Sequence, residues 1–148
     1  MINYLFFIIY FNSVRRDAMR EAVALHAPSL LGYVDSTYGE VTRLTLGEFV
    51  IVIDSAEGIQ QGDPLGSLLF CFTIQPLLLG NQSEFVSGYL DDIWIGGKAK
   101  MVADDVMRLE QVARAVGLTL NHNKCEVIGS PEAIAAWNIS GLAFAGPL

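Results

Sequence analysis

Phe85-Val86-Ser87-Gly88-Tyr89-Leu90-Asp91-Asp92-Ile93-Trp94-Ile95 consists of two short apolar runs that meet at a pair of acids. Residues 85–90 and 93–95 carry the aromatic and β-branched types that suit strands, so the stretch predicts a β-hairpin with two carboxylates at its tip. Neighbouring acids between apolar strands are disfavoured by several kcal/mol if buried without a neutralising partner. A metal ion is one answer to that cost, and solvent exposure at a loop tip is the other.

Upstream of the hairpin, Gly58-Ile59-Gln60-Gln61-Gly62-Asp63-Pro64-Leu65-Gly66-Ser67 is a glycine-punctuated loop that runs into a helix. Pro64 stands where a helix starts, and Leu65 to Leu79 is apolar on nearly every side, which predicts a mostly buried helix. Amide groups and the dipole at such an N-terminus favour phosphate. Earlier still, Asn12-Ser13 offers an N-cap for a helix from Val14, with Val14, Ala18, Met19, Ala22 and Leu25 on its apolar side. Pro28 opens a second helix over Ser29 to Tyr38, closed by Gly39. Val41 to Leu46 and Phe49 to Ile53, separated by Gly47-Glu48, read as another hairpin.

Downstream, Lys100 to Val116 places Val102, Val106, Leu109, Val112, Ala113 and Val116 on one side of an amphipathic helix that Gly117 stops. Leu118 to Leu120 and Glu126 to Ile128 read as short strands around Asn121-His122-Asn123, and Pro131 starts a last short helix through Trp137. This succession predicts one α+β domain, an antiparallel sheet with helices packed on one face. Tyr4 to Phe11 is an unbroken apolar run, far short of the roughly 20 residues that span a bilayer. It lacks the basic residue and small-residue cleavage pattern of a signal peptide, and is better read as a buried strand.

Composition narrows the function classes. The 148 residues hold 9 Lys and Arg against 16 Asp and Glu, a net charge of -7, whereas a free-standing nucleic-acid binder presents a basic face to phosphates. Mean hydropathy is +0.41, high for so short a chain. Cys71 and Cys125 lie far apart without a CxxC pattern, and His26 and His122 have no neighbours at ligand spacing. The cysteines read as reduced thiols, and neither histidine receives a role.

Three blocks, Gln61-Gly62-Asp63-Pro64-Leu65-Gly66, Tyr89-Leu90-Asp91-Asp92 and Gly117-Leu118-Thr119-Leu120-Asn121 with Lys124, follow one another in an order that resembles the palm of reverse transcriptases. The resemblance is nearest to the RNA-directed DNA polymerases of non-LTR retrotransposons, and it runs from about Phe11 to Ile128. It implies a polymerase palm-like fold. By the same resemblance, Asp91 and Asp92 are catalytic acids that hold Mg²⁺ ions for an in-line displacement by a primer 3′-hydroxyl. Gln61 and Gly62 match the stretch that lines the incoming nucleotide, Phe11 the aromatic residue under its sugar, and Lys124 a lysine that assists the leaving pyrophosphate. The implied partners are an RNA template, a DNA primer and dNTPs.

One position departs from the pattern. Five residues before the aromatic the family carries another metal-binding Asp, and here that position is Phe6. A phenyl ring cannot coordinate Mg²⁺, so the two-ion site is expected to be incomplete and polymerase activity to be low or absent. Residues 1–10 are accordingly read as an apolar lead that forms the first palm strand, and residues 11–148 as the palm-like domain without complete fingers and thumb. On this reading the chain is a retroelement-derived fragment, with fingers and thumb supplied in trans if at all. The sequence leaves the compartment open, and this reading favours the inside of the cell, nucleus or cytoplasm, over secretion, with no membrane partner expected. The alternative is a non-catalytic remnant that at most binds protein or nucleic acid.

Overall fold

The computed structural model describes residues 4–8, 11–46, 51–135 and 143–147. In chain order the elements are β1 (Tyr4–Ile8), α1 (Arg16–His26), α2 (Leu31–Tyr38), β2 (Thr42–Leu46), β3 (Ile51–Ser55), α3 (Gly66–Leu78), β4 (Phe85–Tyr89), β5 (Asp92–Gly96), α4 (Ala99–Ala115), β6 (Glu126–Gly129), α5 (Pro131–Ala135) and β7 (Ala143–Pro147). Helices beside small, mainly antiparallel sheets make this an α+β fold. The chain divides into two compact units, Phe11–Thr73 and Met1–Tyr10 with Ile74–Leu148.

The second of these units is built on a five-stranded sheet in the order β4-β5-β1-β6-β7. β1 is central, antiparallel to β5 through Phe6↔Trp94 and Ile8↔Asp92, and antiparallel to β6 through Phe6↔Glu126. Burial alternates along β5: Ile93 and Ile95 are fully buried, whereas Asp92 and Trp94 are half-buried. Successive side chains of a strand point to opposite faces, so one face of this sheet is covered and the other more open. On α4 the buried stripe is Val102, Val106, Leu109 and Ala113, at helical spacing. Asp105 interrupts that stripe, buried with only 2% exposure. Its carboxylate accepts from the Gln82 amide at 2.9 Å, the Ser83 amide at 2.8 Å and the Ser83 hydroxyl at 2.5 Å, which satisfies the charge and pins the turn leading into β4.

One reading of this unit needs correction. Residues 118–120 do not form a strand element: Leu118 and Leu120 are buried, and only an isolated β-bridge at Leu120 precedes the 3-10 turn His122–Lys124. β7 has the sequence Ala-Phe-Ala-Gly-Pro, which lacks the residue types that announce a strand, and it runs parallel to β6. α5 ends at Ala135, and Trp137 lies outside the described residues.

In the unit Phe11–Thr73, α1 starts at Arg16, after a 3-10 turn over Phe11–Ser13, and its N-cap Arg15 makes no side-chain capping bond. The expected Asn12-Ser13 cap is therefore not used. Met19 and Val23, four apart, are the buried residues of α1, whereas Leu25 is 77% exposed. Two positions beyond Val23 a helix has turned about 200°, which carries Leu25 to the opposite side. The second helix is split into a 3-10 turn at Pro28–Leu30 and α2. β2 and β3 pair from Thr42↔Ser55 to Leu46↔Ile51, and the Gly47-Glu48 turn lies outside the described residues. The division between the units falls within α3: its part in this unit buries Leu69, Phe70 and Thr73 and its remainder buries Ile74 and Leu77, but Leu68 and Cys71 are exposed, so the helix is less enclosed than its apolar sequence suggests.

Candidate active site

At the acid end, β4 and β5 are joined by the two residues Leu90 and Asp91, with Tyr89↔Asp92 as the closing pair. Leu90 has φ +53, a left-handed conformation that costs a side-chain-bearing residue roughly 1–2 kcal/mol. Both acids are half-buried. Among the described residues no cation or hydrogen-bond donor side chain reaches either carboxylate, and no group of three or more His, Cys, Asp or Glu gathers as a metal cage. Burial, and then the neighbouring Asp91 charge, push the Asp92 carboxyl above its ordinary value.

Register places the other candidates of this unit. Asp92 stands opposite Ile8 at one end of β1. β6 is antiparallel to β1 and begins opposite Phe6, so the turn His122–Lys124 preceding it lies toward the same end of β1. Asp91, Asp92 and Lys124 thus share one end of the sheet, on opposite flanks of β1. Lys124 is exposed and forms no ion pair among the described residues. Phe6 occupies the middle of β1, between Trp94 and Glu126.

Gln61, Gly62 and Phe11 belong to the other unit. Gln61 and Gly62 are exposed on the loop between β3 and α3, and Phe11 opens the 3-10 turn before α1. The loop is fastened on both flanks. Gly58 has φ +73 and donates to the Val14 carbonyl at 2.8 Å; a Cβ there would fall 2.2 Å from the Asn12 carbonyl oxygen, so only glycine fits. Gly62, φ +89, needs glycine for its backbone alone, because the space around it is open. Asp63 accepts from the Tyr33 hydroxyl at 2.6 Å, the Tyr38 hydroxyl and the Leu65 amide at 2.8 Å. Burial raises its pKa, but these donors outweigh burial and hold the carboxyl below the usual value. The same bonds, with burial leading for Tyr38, push both tyrosine hydroxyls up.

This arrangement corrects the phosphate expectation for the start of α3. The negative charge favoured there is supplied by Asp63 itself, at the Leu65 amide. Beside the loop is a cleft of about 530 Å³ whose lining includes Asn12, Asp54, Glu57, Ile59, Gln60 and Gln61. Its amide side chains suit the neutral hydrogen-bonding groups of a nucleoside better than free phosphate, which the two acids repel.

Residues 10–135 match the family described as "Reverse transcriptase (RNA-dependent DNA polymerase)". This chain belongs to the reverse transcriptase family. It is also 28% identical over 127 residues to the "Retrotransposable element SLACS 132 kDa protein" of Trypanosoma brucei gambiense. That match takes in 80% of this chain and 11% of the relative, so the chain spans about a tenth of the curated protein it matches. The molecule is a reverse transcriptase domain of retrotransposon kinship, and the family works with a nucleic-acid template and nucleotides. Among its described residues no helix is long and apolar enough to cross a membrane.

The donor set of this reverse transcriptase domain fits a hard cation in part. Two half-buried carboxylates lacking donors are oxygen ligands of the kind Mg²⁺ takes, while Phe6 offers none. Sequence reasoning missed Arg16, Tyr33, Tyr38 and Asp105, whose partners lie 22 to 42 positions away. Local spacing carries no signal for such bonds. Asp63 was visible only as part of the Gln-Gly-Asp-Pro block.

Proposed function

We propose that this domain carries out, or descends from one that carried out, template-directed nucleotidyl transfer from dNTPs to a DNA primer on an RNA template. The reading is carried by one observation: Asp91 and Asp92 are half-buried, adjacent and unprovided with donors among the described residues. Such a pair is costly as it stands and gains from a bound cation. Asp91 and Asp92 would hold Mg²⁺, which when bound activates the primer hydroxyl and neutralises nucleotide phosphates. Gln61, Gly62 and Phe11 would contact the nucleotide and its sugar. Lys124 would supply positive charge at the acid end of the sheet, where pyrophosphate departs.

Phe6 favours a second reading, a domain that retains metal and nucleotide binding with little turnover. Loss of groups that merely orient metal ligands costs about 10- to 100-fold, and loss of a ligand costs more. The test is Mn²⁺ and Mg²⁺ binding by titration calorimetry, with Asp91→Asn as control, together with primer extension on an RNA template with and without Phe6→Asp. Metal binding in the wild type that Asp91→Asn abolishes supports the acid site. Extension that rises at least about 100-fold in Phe6→Asp supports an interrupted polymerase. Vigorous extension by the wild type would mean that another residue replaces the missing acid. Metal binding unchanged in Asp91→Asn would remove the site altogether.

A further inference from the structure

We infer that Arg16 is the positioning residue for the loop that presents Gln61, an inference that rests on the nucleotide reading of that loop. Arg16 projects from the first turn of α1 and spends its planar donor fork on one short stretch of backbone. Its Nη1 donates to the Ser55 carbonyl at 2.7 Å, its Nη2 to the Ser55 hydroxyl at 3.0 Å and the Glu57 carbonyl at 3.4 Å, and its Nε to the Gly58 carbonyl at 3.1 Å. A surface arginine kept only for solubility would not converge on four acceptors of a single turn. The guanidinium also lies over the Tyr38 ring, 5.3 Å from its centroid, a cation–π arrangement.

Tyr38 extends the arrangement past Gln61. Its hydroxyl accepts from the Gln60 amide at 3.3 Å and donates to Asp63. Gln61 and Gly62 are therefore bracketed. Before them the chain is fixed by Arg16, after them by Asp63, and Tyr38 joins the two because its ring stacks on the first anchor and its hydroxyl bonds both Gln60 and the second. Gln61 itself is exposed and unencumbered, on the rim of the cleft formed with Asn12 and Gln60. An exposed amide side chain on a mobile loop would lose binding energy to ordering, and holding its backbone in advance reduces that loss. Lysine cannot take this place, because an ammonium lacks the planar fork and the stacking face.

The test combines backbone exchange with nucleotide binding in Arg16→Ala, Arg16→Lys and Gln61→Ala, using the whole chain. Hydrogen–deuterium exchange at the Gly58 and Gln60 amides is expected to accelerate about 10-fold or more in Arg16→Ala and less in Arg16→Lys, while amides of β5 and α4 keep their wild-type rates. Binding of a dNTP with Mg²⁺, followed by calorimetry, is expected to weaken about 10-fold in Arg16→Ala, with Arg16→Lys intermediate. In a Gln61→Ala background the same Arg16→Ala change is expected to add less than about 2-fold, because the two residues act as one unit. Unchanged exchange at residues 58–61 in Arg16→Ala, or fully additive losses in the double variant, would overturn the inference. Should Gln61→Ala bind nucleotide as the wild type does, it is the nucleotide reading that fails, and the exchange data alone then decide whether Arg16 holds the loop.

Discussion

Asp63 and Asp92 are both half-buried carboxylates in or beside loops, one in each compact unit, yet their surroundings are opposite. Asp63 has two tyrosine hydroxyls and a backbone amide aimed at it, and its pKa lies low. Asp92 has no side-chain donor among the described residues and another acid next to it, and its pKa lies high. Asp105 shows how the unit containing Asp92 treats an acid that it uses for architecture: it is buried and fully supplied with donors. The fold can satisfy a carboxylate where one is needed to hold a turn. Asp91 and Asp92 stand without such donors at a hairpin tip with left-handed Leu90, a contrast that supports the proposal that they serve a ligand rather than the chain.

The largest expected effect tests the architectural end of this contrast. Asp105→Asn turns an amide group toward amide donors and removes the charge that strengthens those bonds, so stability should fall by about 3 kcal/mol. Urea unfolding followed by circular dichroism measures it, and a loss within error of zero would break the contrast. Next, Asp63→Asn should cost about 2 kcal/mol for the charge-assisted bonds from Tyr33, Tyr38 and Leu65. The pH profile carries its own sign. The Asp63 pKa is depressed in the folded state, so its contribution is present above the unfolded carboxylate value and is lost as pH falls through the folded value. The wild type should therefore lose more stability than Asp63→Asn does on acidification below about pH 4.

Asp92 should behave in the reverse sense and more weakly. Its folded pKa is raised, so its contribution to stability is present below the unfolded carboxylate value and disappears as pH rises through the folded one. At neutral pH without metal, Asp92→Asn should raise the melting midpoint by about 1–2 °C rather than lower it. The same variant should lose the stabilisation that added Mn²⁺ gives the wild type, since a ligand that binds only the folded state raises its midpoint. A midpoint lowered by Asp92→Asn in metal-free buffer would mean that Asp92 serves the fold after all.

These contrasts also show what the sequence made legible. The Tyr89-Leu90-Asp91-Asp92 hairpin could be read because strand alternation and a two-residue loop are local, but the register is one residue off the expected tip: Leu90 and Asp91 form the loop, and Asp92 opens β5 opposite Tyr89. The buried stripe of α4 was legible by period, except that Asp105, an acid in an apolar row, reveals its reason only through Gln82 and Ser83. Leu25 departs from the expected apolar side because apolar character alone does not say which way a helix turns its face. β7 and the fastening of the Gln61 loop by Arg16 and Tyr38 were invisible for one shared reason, that both depend on pairings across long stretches of chain.

The central place of β1 has a consequence in time as well as in space. Its register partners are Trp94 on one side and Glu126 on the other, so an early segment is completed only by strands that are synthesised much later. Until both arrive, a strand of sequence Tyr-Leu-Phe-Phe-Ile has two unpaired edges. Contacts of such sequence separation slow folding, and an apolar strand kept waiting is prone to pair with the wrong chain. Expression yield, refolding rate and dependence on chaperones in this domain should therefore follow changes in β1 more closely than changes in any other strand.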